Sequence, residues 1–388
     1  MVNVLYVFGG EKASGAEKVI ERLISHNFGA VNPHLFISPG EYAFDLQTRV
    51  NGLYPIYLVK PLKKLNRGNS SKLKFYFQAI INNLKVSWLV VKYINKQDIK
   101  VVHANTIVPA FYLFPAIVFF KLFNKKIKFI WSDHDLQYFS SFDNKLASIA
   151  SSLYDCTITV SKAVSDKYAR SEKVITLYNG INMDEFKPDP NSATRFRERW
   201  GYTNDELLIG IAATIEPRKG QLELVNVFES LAKKRTGIRL LLAGSVSTDY
   251  DKYTKAVLNA AESGKDIKYL GKINDMPEFY NACDIIVNNS NAEGSEPLGT
   301  TIYEAMAIEK IVVASNTGGS PEIITDEQDG FLFKCQDEKA LIGKLDRVIA
   351  EFDSLNTVRQ NARLKVVRKF DIDIMVNGYN KIIGALIN

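Results

Sequence analysis

Two runs of alternating strand and helix patterns, separated by one stretch rich in Asn, Asp and Pro, constrain the fold of this chain more than any other feature. In the first run, β-branched segments at Val2–Phe8, Pro33–Ile37, Tyr54–Val59, Ile99–His103, Ile127–Trp131, Cys156–Val160 and Val174–Leu177 read as strands. Helical patterns at Ala16–His26 and Leu73–Ile94 fall between them. Such alternation builds a parallel sheet with helices on both faces. It breaks at Tyr178–Trp200, which contains NGINMDEFKPDPNS and reads as an interdomain connection. It then restarts, with strands expected at Leu207–Ala213, Ile238–Ala243, Ile267–Leu270, Asp284–Asn288 and Ile311–Ala314, and helices at Gly220–Lys233 and Leu298–Ile308. The expected fold class is therefore α/β, with two doubly wound domains spanning residues 1–185 and 186–370. A length of 388 residues suits two domains, or three small ones.

Ligands of open parallel sheets bind outside the carboxyl ends of the strands. With two sheets facing each other, the central cleft is the expected site. Composition excludes several other classes. Hydrophobic residues make up 46% and charged residues 24%, which excludes disorder and low-complexity repeats. Cys156, Cys283 and Cys335 are scattered, so neither a disulfide framework nor a zinc cluster is expected, and a reducing, cytoplasmic setting follows. The opening MVNVLYVFGG lacks the basic region of an export signal. The longest apolar stretch, Ile107–Phe120, is interrupted by Pro109 and Pro115 and falls short of the about 20 residues a bilayer needs; it reads as a buried helix.

The turn after the first strand reads Gly9-Gly10-Glu11-Lys12-Ala13-Ser14-Gly15-Ala16-Glu17. It fits neither G-x-G-x-x-G nor a Walker loop. Gly10 and Gly15 could still let backbone approach a ligand, with the following helix N-terminus favouring an anion. A purely structural turn reads the same way. The richer segment is Asn291–Ala307, NAEGSEPLGTTIYEAMA, which follows an expected strand. Pro297 suits a first helical position, leaving the Leu298, Gly299 and Thr300 amides free to hold a phosphate. Glu296 and Glu304 lie eight residues apart, about 12 Å along a helix. They read either as a helix-end charge and a solvated face, or as two carboxylates accepting hydroxyl hydrogen bonds on either side of a diphosphate. Arg218 and Lys219 follow the strand Leu207–Ala213, and read either as a solvated loop or as two cations neutralising that diphosphate.

The spacing Glu296-x7-Glu304, in the form EPLGTTIYEAMA, resembles the signature of retaining glycosyltransferases of family four. KVITLYNGINMDEF at 173–186, IGIAATIEPRKGQ at 209–221, Tyr269-Leu270-Gly271 and Gly318-Gly319-Ser320-Pro321-Glu322 are similar to further motifs of that family, in the same order, so the likeness covers nearly the whole chain. The resemblance implies the GT-B fold: two Rossmann-like domains facing a central cleft, with residues 371–388 as a terminal helix crossing back to the first. It implies transfer of a sugar, with retention, from a nucleotide-diphosphate donor to a hydroxyl of a glycan or lipid-linked acceptor, as in cell-surface polysaccharide synthesis. Uridine is the preferred base on family frequency. Glu304 would bind the ribose, Arg218 and Lys219 the diphosphate, and Glu296 with the Leu298–Thr300 amides the sugar hydroxyls and phosphate. His134, after the strand Ile127–Trp131, would contact the donor sugar, and His103 would line the acceptor side. The loop departs from the family's Gly-Gly-Ala-Glu, having Ser14-Gly15-Ala16-Glu17, and of its glycines Gly15 fits better. A nucleotide-sugar epimerase or a non-catalytic partner of the same fold are the alternatives.

No metal or other cofactor is expected. Asp133-His134-Asp135, Asp249-Tyr250-Asp251 and Asp371-Ile372-Asp373 each fit D-x-D, and three hits in one chain show how little that pattern demands. Charge is also segregated. Between Val59 and Ile130 stand fourteen Lys or Arg and one acidic residue, Asp98, interleaved with aromatics. This is a solvated face, or a patch for an anionic membrane surface; no nucleic-acid motif accompanies it.

Overall fold

The computed structural model describes residues 1–11, 15–27, 29–63, 65, 72–123, 126–137, 141–168, 171–292 and 296–388. The chain divides into two units, Met1–Gly180 with Ile372–Asn388, and Ile181–Asp371.

Among the described residues the first unit holds seven strands: β1 (Val2–Phe8), β2 (Val31–Ile37), β3 (Ile56–Leu58), β4 (Val101–Asn105), β5 (Lys128–Asp133), β6 (Cys156–Thr159) and β7 (Val174–Thr176). All pair in parallel, in the order β3-β2-β1-β4-β5-β6-β7. Central strands buried on both faces explain the continuous apolar runs; every residue of β4 is buried. The terminal helix Ile372–Ile387 packs beside the helix Gly15–His26, and Asn27 and Asn380 exchange amide hydrogen bonds of 2.9 and 2.8 Å.

The second unit holds β8 (Leu207–Ala212), β9 (Ile238–Ala243), β10 (Ile267–Gly271), β11 (Ile285–Asn288), β12 (Ile311–Ser315) and β13 (Phe331–Phe333), again all parallel, ordered β10-β9-β8-β11-β12-β13. Chain direction around the sheet reverses between β8 and β11, the position where doubly wound sheets open a ligand crevice.

Three expectations change. Tyr178–Trp200 is not all connection, because Pro190–Trp200 is a helix of the second unit. Asp189 caps it by accepting from the Asn191 and Ser192 N–H at 3.0 and 3.1 Å, and Pro190 supplies the first turn. The composition that reads as loop is here a helix start. The apolar run forms two helices, Ile107–Tyr112 and Phe114–Leu122, broken at Leu113 ahead of Pro115. The helix expected from Leu298 begins at Thr300, because Gly299 takes a left-handed conformation, φ 76°.

His103 is corrected more fully. β4 runs two residues past it, so it lies inside a strand and not at its end. It is 1% exposed. Its Nδ1 meets the Tyr379 hydroxyl at 2.8 Å and its Nε2 the Ser132 hydroxyl at 2.7 Å, while Tyr379 stacks on its ring. With both nitrogens committed in the core, His103 is already hydrogen-bonded on each side of its ring. Burial, with a smaller contribution from His134, pushes its pKa down to about 3. An unfolded imidazole takes up a proton near 6.5, well before the buried one does. Stability of the first unit should therefore fall as pH drops below about 6.5, by up to about 1.4 kcal/mol per unit for this group. Urea unfolding of a Trp200→Phe variant, read through the tryptophans of the first unit, should show that slope, and His103→Gln should reduce it, leaving the smaller share that His134 contributes.

Candidate functional site

Two loops of the second unit follow the strands that flank the switch point. After β8 comes the turn Pro217–Lys219, closed by Gly220 with φ 65°. A Cβ at Gly220 would stand 2.5 Å from the Asn289 carbonyl oxygen, so only glycine allows this approach. After β11, three hydrogen bonds clasp the turn. Asn289 Nδ2 donates to the Gly220 carbonyl at 2.8 Å, the Asn291 N–H to the Arg218 carbonyl at 2.9 Å, and Asn291 Nδ2 to the Pro217 carbonyl at 3.4 Å. The two loops are thereby one structure.

Within it, Lys219 Nζ donates to Glu296 Oε2 at 2.5 Å, and the Ser290 hydroxyl donates to the same oxygen at 3.0 Å. Both charged side chains are 14% exposed. Burial of Glu296 works against its charge. The Lys219 ammonium, its hydrogen bond, the Ser290 hydroxyl and Arg218 outweigh burial and hold the carboxyl below the usual range. Arg218 is half open to solvent and pairs through Nη2 with Glu216 Oε1 at 2.6 Å. The two cations expected as counter-charges are thus each already matched by a carboxylate.

Glu296 is fixed from behind by Gly318 and Gly319. The Gly319 N–H donates to the Glu296 carbonyl at 2.9 Å. A Cβ at Gly318, where φ is 53°, would lie 2.1 Å from that carbonyl oxygen, and one at Gly319 would lie 2.5 Å from the Pro297 oxygen. Among the described residues none accepts from the Leu298, Gly299 or Thr300 N–H, while the Ile302 N–H bonds the Gly299 carbonyl at 3.0 Å. These amides are the unsatisfied donors of a helix start. Residues 293–295 of the same segment lie outside the described residues. Glu304 is buried and not on a solvated face, and one of its carboxylate oxygens accepts from the Tyr280 hydroxyl at 3.1 Å. A cavity of about 200 Å³ adjoins the turn, lined by Pro217, Gly220, Glu223, Asn289, Asn291 and Gln336.

The first unit carries the remaining candidates. His134 is the first residue beyond β5. Its Nε2 is buried and meets no hydrogen-bond partner among the described residues. Burial lowers its pKa to about 4, against the opposing charge of Asp133. Asp133, fully buried, accepts from Lys167 Nζ at 2.6 Å and the Tyr168 hydroxyl at 2.5 Å on one oxygen, and from the Asp135 N–H at 3.1 Å on the other. That network fixes the loop bearing His134, and it uses the Asp133 carboxylate that a metal would need. His103 and His134 share a cavity of only about 10 Å³, the room of a single water. Gly10 precedes Glu11, whose carbonyl accepts from the Tyr42 N–H at 3.2 Å. Gly15 opens the first helix, and a Cβ there would meet nothing within 4 Å, so packing does not demand glycine. Residues 12–14 between them lie outside the described residues.

Sequence reasoning had not found Ser290, Tyr280 or the Asn289/Asn291 clasp. The strings NNSN and GGSP carried the only signal, as polar and glycine residues directly beyond β11 and β12.

Residues 34–185 match the family described as Glycosyltransferase Family 4, and residues 192–365 the family described as Glycosyl transferases group 1. The chain is 27% identical over 222 residues to the putative glycosyltransferase EpsD of Bacillus subtilis (strain 168), covering 55% of this chain and 56% of that one. It is 26% identical over 219 residues to the capsular polysaccharide biosynthesis glycosyltransferase CapM of Staphylococcus aureus, with 55% and 56% covered. The matched span thus covers little more than half the length of these curated relatives. Among solved structures, a glycosyltransferase from Rickettsia africae ESF-5 superposes with a TM-score of 0.83 at 20% identity, covering 100% and 99% of the two chains. Anabaena Alr3699/HepE in complex with UDP and glucose superposes with a TM-score of 0.80 at 19% identity, covering 99% and 100%. These likenesses establish the fold.

The clasp makes a steric prediction. Gly318→Ala should destabilise the second unit by more than about 2 kcal/mol, since a left-handed residue with a Cβ must also displace backbone. Gly343→Ala, in an open position of the helix Glu338–Ala350, should instead stabilise by up to about 1 kcal/mol. Urea unfolding of the two variants measures both.

Proposed function

The chain belongs to the family 4, group 1 glycosyltransferases, and we propose that it transfers a sugar from a nucleotide-diphosphate donor to a hydroxyl of a glycan or lipid-linked acceptor, in polysaccharide or glycolipid synthesis. The observation that carries this reading is the Lys219–Glu296–Ser290 cluster, held beyond β8 and β11 at the reversal of a parallel sheet. A carboxylate kept charged accepts hydroxyl hydrogen bonds from a sugar, and an ammonium 2.5 Å away serves the adjoining phosphate. The Leu298–Thr300 amides offer the remaining donors to that phosphate. Glu304, buried and held by the Tyr280 hydroxyl, is the carboxylate for a ribose hydroxyl. Uridine is the preferred base; the HepE structure holds UDP. His134, neutral at physiological pH, takes the donor-sugar contact that the family resemblance implies, and Gly15 the approach to the diphosphate.

In a retaining transfer the bond between the anomeric carbon and the phosphate oxygen breaks while the acceptor oxygen bonds the same face. The acceptor proton passes to the departing phosphate. Negative charge grows on the diphosphate at that moment, and Arg218, Lys219 and the helix-start amides are the groups to meet it. No divalent ion is required in this reading. The setting is cytoplasmic, in keeping with three free cysteines.

A thermal-shift screen of UDP, GDP and ADP sugars identifies the donor. With it, Arg218→Ala combined with Lys219→Gln should lower turnover by about 100-fold or more, and His134→Ala should lower it as well. Activity should survive excess EDTA. Unchanged turnover in the double variant, or a collapse in EDTA restored by manganese, contradicts the reading. New isomers of the donor, formed without acceptor, would indicate an epimerase instead.

A further inference from the structure

The helix Lys72–Gln97 leaves a large apolar face uncovered. Its inner side is ordinary: Val86, Val90, Tyr93 and Ile94 are buried with Leu113 and Phe120 in the core of the first unit. Its outer side is not. Phe77 is 65% exposed, Ile80 55%, Leu84 56% and Trp88 62%. Their spacing of three, four and four residues puts them in one stripe, opposite the buried side. Lys74, Lys85, Lys92 and Lys96 are all exposed. At about 100° per residue they fall on one flank of that stripe, within roughly 60–100° of Phe77. The helix contains no Asp or Glu. Lys92 Nζ lies 5.3 Å from the Trp88 ring centroid, so a cation and an amphipathic ring sit together at the edge of the stripe. The neighbouring helix Phe114–Leu122 ends in two more exposed apolar residues, Leu122 and Phe123.

We propose that this face docks on an anionic lipid surface, with Phe77, Ile80, Leu84 and Trp88 entering the interface and the lysine flank resting on the headgroups. Aromatic and aliphatic side chains beside a polar flank whose charges are all basic are the pattern of a helix lying in the interfacial plane. Charge separates the other occupants. A second copy of this chain would bring one lysine flank toward another with no carboxylate in the helix to meet it. Nucleic acid would satisfy the lysines but would leave Ile80 and Leu84 against phosphate and water. A bilayer with acidic headgroups meets both features. Among the described residues no helix is long and apolar enough to cross a membrane, so attachment through this face is peripheral. The inference is independent of the sugar-transfer reading, because vesicle binding requires neither donor nor acceptor.

The full chain is tested by flotation with phosphatidylcholine vesicles, with and without phosphatidylglycerol, at low and high salt. Binding is expected only to the acidic vesicles, and it should weaken as salt rises. Lys74→Gln, Lys85→Gln and Lys92→Gln together should weaken it by roughly 100-fold. Phe77→Ser with Trp88→Ser should weaken it by at least about tenfold even at low salt. Both variants replace exposed side chains only, and circular dichroism checks that they are folded. Bilayer-borne bromolipids should quench fluorescence in the wild type, and that quenching should vanish with Trp88→Phe. Three results would overturn the proposal: no flotation with acidic vesicles at low salt, binding unaffected by the apolar double variant, or a lipid-free dimer abolished by that variant.

Discussion

The ion pair between Lys219 and Glu296 is the interaction on which the candidate site depends. Two opposite charges, each 14% exposed, share one oxygen contact with the Ser290 hydroxyl. Removing either partner of such a pair leaves a desolvated charge unmatched, a change worth several kcal/mol in buried settings. The pair also ties two loops that are far apart in sequence. Lys219 belongs to the turn after β8 and Glu296 to the segment after β11. Without the pair, only the Asn289 and Asn291 clasp would hold these loop segments together, and neither charge would have a fixed place.

The backbone around the pair explains why glycines are needed where they stand. Gly220 lets the lysine turn close on Asn289, and Gly318 lets the segment after β12 run against the Glu296 carbonyl. Three adjacent strand ends, β8, β11 and β12, thus each supply one layer. The turn gives the cation, the next segment gives the carboxylate and the helix-start amides, and the glycine pair supports both. A ligand arriving here meets groups whose positions are set before it binds, which is the condition for electrostatic stabilisation without reorganisation. It also meets cations already matched by carboxylates. Under the proposed function, a diphosphate would share Lys219 with Glu296 and draw Arg218 away from Glu216.

Much of this was legible in the sequence, and the exceptions have physical reasons. The strand pattern located every described strand of the first sheet to within two residues at each end; the starts of β2, β3 and β4 were the loosest, β2 beginning two residues before Pro33, β3 two residues after Tyr54 and β4 two residues after Ile99. β13 escaped notice because three residues, FLF, carry no periodicity. The motif that joins Glu296 to Glu304 was visible, but its helix start was not. Pro297 fits a first helical position in isolation, and only the left-handed Gly299 moves the start to Thr300. Arg218 and Lys219 read as bare cations, since no spacing rule links them to Glu216 or to a glutamate 77 residues away. His103 read as a strand-end ligand, since the two further residues of β4 and the partner Tyr379, 276 residues on, cannot be seen locally.

The most direct test of the central claim is calorimetric titration of the bare nucleoside diphosphate into the wild type and Glu296→Gln. The account assigns Lys219 to phosphate and Glu296 to sugar. Neutralising Glu296 should release Lys219, so the variant should bind the diphosphate at least as tightly as the wild type while losing its advantage for the sugar-bearing donor. Loss of diphosphate affinity in Glu296→Gln, with sugar transfer intact, would contradict it.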